Sequence, residues 1–140
     1  MTDHALSNPL VQRFLASKSV AILATVQASG APLAMPMWFV HDASTIVMIS
    51  EVGLQKVRNL RRDPRACVVV EGEGGGVIAG VIVQGHARFL ETETERTSYV
   101  EALHAKYSGL AERWGGRGMP PNRVMFRIDP DRIHTWGLDD

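Results

Sequence analysis

The sequence predicts a mainly β fold, a predominantly antiparallel barrel with a few helices. Two observations carry that prediction. Apolar, β-branched runs recur along the chain, and the segments between them are short and rich in Gly, Pro, Asn, Asp and Ser. Helical spacing of apolar residues appears in three places, each beside a capping residue or a proline stop.

In chain order, Asn8-Pro9 starts a helix with proline at its first position, and Leu10, Val11, Phe14 and Leu15 mark its apolar side as far as Lys18. The continuous apolar run Ser19–Val26 reads as a strand buried on both faces. Ala28–Ala31 turns into a second strand, Pro32–Val40, and His41–Ser44 turns into a third, Thr45–Ser50, so two successive hairpins predict a meander. Gly53–Arg62 places Leu54, Val57 and Leu60 three apart on one helix face, stopped at Asp63-Pro64. Ala66–Glu71 is a fourth strand, and Gly72–Gly76 a flexible loop. Val77–Leu90 is a long fifth strand with bend points at Gly80 and Gly85. Thr92 and Glu95 form a capping box for a helix whose apolar face holds Val100, Leu103 and Tyr107. Ser108–Asn122, centred on Gly115-Gly116-Arg117-Gly118, predicts a mobile loop with few apolar anchors. Arg123–Ile128 and Arg132–Trp136 close the chain as two strands around Asp129-Pro130-Asp131.

At 140 residues and 15.4 kDa the chain is expected to form a single domain over 1–140. Fifteen basic residues balance fifteen acidic ones, which argues against a general nucleic-acid binder and leaves little self-repulsion between copies. A lone cysteine, Cys67, excludes an internal disulfide framework or a zinc site built on several thiolates. The N-terminal residues lack the regions of a signal peptide, and the longest apolar stretch, Leu33–Val40, falls far short of the roughly 20 residues of a spanning helix. A cytoplasmic chain with no membrane partner is therefore expected.

Most chemical motifs fail on inspection. No Gly-Lys-Ser/Thr follows the glycine run, and Val77 stands where a dinucleotide fingerprint needs its third glycine. No serine occupies a nucleophile elbow, and the five histidines form no His-x-x-x-His pair, so no metal site is expected. Cys67 opens an apolar strand and reads as a packed thiol. One cluster survives: Lys56, Arg58, Arg61, Arg62 and Arg65 crowd a short segment against the single acid Asp63. A solvated helix face explains part of it. The other reading is an anion site, in which free amides at the helix start and Lys56 in its first turns converge on a phosphate.

Gly30-x-Pro32, Trp38-Phe39 and the run Ser50-x5-Lys56-x2-Asn59-Leu60-x2-Asp63-Pro64-Arg65-Ala66 together resemble the pyridoxamine-phosphate-oxidase-like split β-barrel family. The run from Lys56 to Ala66 is similar to the branch that uses flavin or deazaflavin cofactors. The resemblance covers nearly the whole chain. It implies a homodimeric split β-barrel with two equivalent sites at the subunit interface. It implies FMN or the deazaflavin coenzyme F-420, its phosphate toward Ser50 and Lys56 and its ring along Met35, Pro36, Met37 and Trp38. Leu54 and Gln55 stand where FMN-dependent relatives tend to carry a hydroxyl and an arginine, which turns attention to Arg58 or Arg61 for phosphate affinity.

The expected function is hydride transfer between that cofactor and a small organic substrate. The cofactor brings the chemistry, and no side chain stands out as a catalytic acid or base. The alternative is a non-catalytic protein that sequesters F-420, a flavin, a tetrapyrrole or haem, with His86 or His134 as a haem ligand.

Overall fold

The computed structural model describes residues 3–74 and 77–138. These form one antiparallel sheet with strands β1 (Ala21–Val26), β2 (Pro32–Met37), β3 (Phe39–His41), β4 (Ile46–Glu51), β5 (Arg65–Gly74), β6 (Val77–Phe89) and β7 (Arg123–Trp136). The helices are α1 (Pro9–Ala16), α2 (Gln55–Arg62), α3 (Glu93–Lys106) and the short α4 (Leu110–Trp114). Strand order is β2-β1-β5-β6-β7-β4-β3. The two edge strands are thus consecutive in the chain, separated by Trp38 alone. Met37 of β2 and Phe39 of β3 pack into the same core, so the sheet curls until its edges meet at Trp38. That is a mainly β split barrel, as expected.

The barrel interior is filled by alternating residues such as Leu23, Ile46, Met48, Val68, Val83, Phe126 and Ile128, with Val11 and Leu15 of α1 packed among them. A second core lies on the outer side of β4 and β7, where Val47 and Met125 meet Leu103, Tyr107 and Leu110 of the α3–α4 segment. Asn8 caps α1 by accepting from the Leu10 amide, and both halves of the Thr92–Glu95 capping box are made.

Five expectations are corrected. β1 is one-sided rather than buried on both faces: Leu23 is enclosed while Ile22 is exposed, the alternation of an antiparallel strand. The second strand breaks at Trp38, so its halves pair with β1 and β4 and no meander forms. β5 runs on to Gly74, into the glycine stretch, and pairs with β6 as far as Gly74↔Val77; the rest of that stretch, 75–76, lies outside the described residues. The C-terminal pair is one strand, with Pro130 opposite Gly85 and Asp131 as the extra residue of a bulge. A Cβ at Gly85 would meet the Asp129 carbonyl oxygen at 2.1 Å, so this close approach requires glycine. Finally, 108–122 is anchored: it contains α4, Leu110 is buried, and Trp114 and Met119 pack against the second core.

Candidate functional site

A cleft of about 310 Å³ opens at the seam, lined by Pro36, Met37 and Trp38 from the β2–β3 junction, Ile49 of β4, Lys56 of α2, Leu103 of α3, Leu110, Arg113 and Trp114 of α4, and Arg123 of β7. Pro36 belongs to an edge strand, where its missing N–H costs no ladder bond. The Trp38 indole stacks on the Tyr107 ring, centroids 4.2 Å apart and planes within 4°. Tyr107 in turn pins the seam. Its hydroxyl accepts from the Phe39 amide at 2.9 Å, and its own proton reaches the carbonyls of Ser19 and Phe39 at 2.9 and 3.0 Å.

Lys56 sits in the first turn of α2, whose N-cap, Leu54, supplies no side-chain cap. The helix is placed by Asn59, fully buried, which donates to the Thr25 hydroxyl at 3.0 Å and accepts from Gln55 at 2.7 Å. The Lys56 ammonium has no hydrogen-bond or ion-pair partner among the described residues, and burial pushes its pKa down while Glu51 pulls it partly back. Arg123 reaches Glu51 at 3.4 Å across the β4–β7 ladder, and the Arg113 guanidinium lies 5.6 Å from the Trp38 ring centroid. Three cations thus share one cleft with aromatic and aliphatic walls.

Of the residues singled out in the sequence, the structure brings together Pro36, Met37, Trp38 and Lys56 and leaves four elsewhere. Ser50 is buried on the face of β4 that follows Ile46 and Met48 into the barrel, and its hydroxyl donates to the Glu51 carbonyl; Ile49, on the opposite face, is the residue that lines the cleft. Met35 packs against the barrel core. Arg58 folds back over its own helix start, bonded to the Gly53 carbonyl and, at 2.6 Å, to Gln55. Arg61 pairs with Glu91 at 2.8 Å and lies 3.6 Å above the Phe89 ring. Most of the basic cluster therefore braces α2 rather than facing a ligand: Arg62 bonds the Val26 carbonyl, and Arg65 clamps Asp63, whose carboxyl it holds down at about 2. Arg113 and Arg123 were missed. The first sat in the supposed loop, and the second is recognisable only once the Glu51↔Arg123 register is known.

The donor set suits a flat, anionic aromatic group: stacked and apolar walls, one desolvated ammonium and two guanidiniums. Among the described residues no cluster of His, Cys, Asp or Glu could hold a metal. A family model for pyridoxamine 5'-phosphate oxidase matches residues 7–137. The chain belongs to this family. Among solved structures, this oxidase-family chain is similar to a conserved hypothetical protein of Mycobacterium tuberculosis at 29% identity and TM-score 0.72, over 99% of this chain and 89% of that one. Two others share the fold at lower identity. An FAD-binding protein of Mesorhizobium loti is 21% identical with TM-score 0.71, over 88% and 87% of the two chains. HutZ, a haem storage protein of Vibrio cholerae, is 17% identical with TM-score 0.74, over 94% of each. No helix of the described residues is long and apolar enough to cross a membrane.

Proposed function

We infer that this chain is a flavin- or deazaflavin-dependent oxidoreductase, with F-420 or FMN held in the Trp38 cleft and a small organic molecule as substrate. One observation carries the reading: the unpartnered, half-buried Lys56 ammonium in a cleft walled by Trp38. A partly desolvated cation that no carboxylate contacts directly costs stability even with Glu51 nearby, and an anionic ligand would offset that cost on binding. Lys56 and Arg123 would take the phosphate, Arg113 a further acceptor, and Pro36, Met37 and Trp38 the ring. When bound, the cofactor supplies the hydride chemistry. The chain's own residues bind, orient and exclude water: Tyr107 fixes the Trp38 plane, and Leu103, Leu110 and Trp114 keep one wall apolar. We further propose that a second copy of the chain completes the site.

The FAD-binding relative supports a flavin, and HutZ keeps a haem-sequestering role in view. The two imidazoles that would serve as haem ligands are exposed and engaged, His86 with Asp131 at 3.2 Å and His134 with Asp3 at 2.9 Å. The test is a spectroscopic titration of the purified protein with FMN, F-420 and haem. Saturable micromolar binding of FMN or F-420 is expected, followed by reduction or oxidation of the bound cofactor when substrates are screened. Binding of haem alone would overturn the reading. Cofactor binding without turnover for any acceptor would reduce it to sequestration.

A further inference from the structure

A second apolar cavity, of about 320 Å³, opens beside α1, β3 and α3, lined by Ala16, Val40, His41, Ala102, Ala105 and Lys106. Its walls carry methyl and methylene groups, and among the described residues its titratable lining groups are Lys106 and His41; α1 brings Ala16, and α3 brings Ala102 and Ala105 beside the lysine. The Lys106 ammonium donates to the Phe39 carbonyl at 2.9 Å and sits 3.5 Å from the centroid of the Phe39 ring. No carboxylate pairs with it among the described residues. Asp42, adjacent to His41 in the chain, is taken up by the Tyr99 hydroxyl at 2.7 Å and by the amides of Ser44 and Thr45. Burial therefore acts on Lys106 without a compensating charge and pulls its pKa down to about 8. The ring face and carbonyl of Phe39 attract the ammonium only weakly by comparison with a carboxylate.

His41 is assigned by its partner. Gln12 donates through its side-chain nitrogen to the carbonyls of Leu6 and Asp42, at 2.8 and 3.0 Å, so its oxygen must accept from His41 Nδ1, 2.8 Å away. The neutral imidazole then keeps its lone pair on Nε2. Burial first and then the nearby Lys106 favour that neutral form, against a smaller opposing pull from Asp42.

We propose that the Lys106 amine is a reactive nucleophile that condenses with an apolar aldehyde seated in this cavity. The nitrogen lone pair attacks the carbonyl carbon, a C–N bond forms and the carbonyl π pair takes up a proton to become a hydroxyl. Loss of that hydroxyl as water, carrying away both hydrogens of the amine, leaves a C=N bond. The step consumes no oxidant or reductant. The neutral His41 imidazole lines the same cavity and would relay the protons. This site is separate from the Trp38 cleft and does not depend on what that cleft binds.

The chain offers a clean assay because its lysines are three, Lys18, Lys56 and Lys106. The folded protein is treated with benzaldehyde and cyanoborohydride near neutral pH, and alkylation of each lysine is followed by peptide mass spectrometry. An amine with a pKa near 8 rather than 10.5 holds on the order of a hundredfold more free base at neutral pH, partly offset by its lower basicity. Lys106 is expected to react at least about tenfold faster than Lys18. That lead is expected to shrink several-fold when the small polar glycolaldehyde replaces benzaldehyde, and to vanish in urea. Labelling of Lys106 no faster than Lys18 would overturn the proposal. So would an equal lead for the two aldehydes, which removes the cavity from the argument, or a lead that survives unfolding.

Discussion

Lys56 and Lys106 are both amines taken partly out of water, and each leads to a measurement. Replacing Lys56 with alanine removes a charge-assisted contact worth about 1.5–3 kcal/mol, so FMN or F-420 binding is expected to weaken roughly ten- to a hundredfold. Arg62→Ala, which loses a bond to the Val26 carbonyl at an exposed site, is expected to leave cofactor affinity unchanged in the same titration. Equal loss in both variants would move the phosphate away from Lys56. At Lys106 the sign runs through linkage. Its folded pKa of about 8 lies below the ordinary 10.5, so between those values the unfolded chain binds more protons and stability rises with pH. Lys106→Met is therefore expected to be more stable than the parent by about 1 kcal/mol at neutral pH, the figure discounted for the water still reaching the side chain. That advantage fades as pH is raised from 8 toward 10.5. Urea denaturation across that range measures both. Lys56 was legible as a cation in the first turn of a helix, and Pro36, Met37 and Trp38 were candidates through the family resemblance alone. Arg113 and Arg123 were not, because a side chain brought in by another element has no local signature.

Elements were read well where the signal was local. The Asn8-Pro9 start, the Asp63-Pro64 stop and the capping box at Thr92 all depend on neighbours within one turn, and all three appear in the structure. The break at Trp38 did not show, since Pro32–Val40 is apolar throughout and only the sheet's curvature decides that its halves face different partners. The bulge at Asp131 was hidden likewise: Asp-Pro-Asp has turn chemistry, and cross-strand pairing with a glycine overrides it. At this scale α2 depends on Asn59, which ties it to β1 through Thr25. Asn59→Ala is expected to cost about 1–3 kcal/mol in denaturant unfolding, because Thr25 and Gln55 then lose a buried partner. It is also expected to lower cofactor affinity, since Lys56 rides on the same helix; intact affinity in a folded variant would separate the helix from the site.

For the whole molecule, the homodimer proposed with the function needs an exposed apolar surface. Met37, Phe39, Met125 and Phe126 cannot supply it, since all four are buried within the chain's own cores. The unspent apolar surface is Val20, Ile22, Trp38, Val52, Leu54 and Ile78, each a third or more exposed. Light scattering at micromolar concentration is expected to give twice 15.4 kDa, and Ile22→Lys, placing charge on the outer face of β1, to shift the mass toward one chain. A single-chain mass for the parent would remove the second copy from the site. The strand order has a further consequence, for the order of assembly. β1, β2, β5 and β6 pair with one another inside residues 21–89, whereas the β3–β4 hairpin is hydrogen-bonded to the rest of the sheet through β7, some seventy residues downstream. A chain emerging from the ribosome can therefore build most of the sheet early, but the hairpin carrying Phe39 and Ile49 must wait for the last strand to arrive. In pulsed hydrogen exchange during refolding, the amides of β4 are expected to gain protection together with those of β7, after β1 and β5. The seam at Trp38 thus joins neighbours in sequence and is the last junction closed in space.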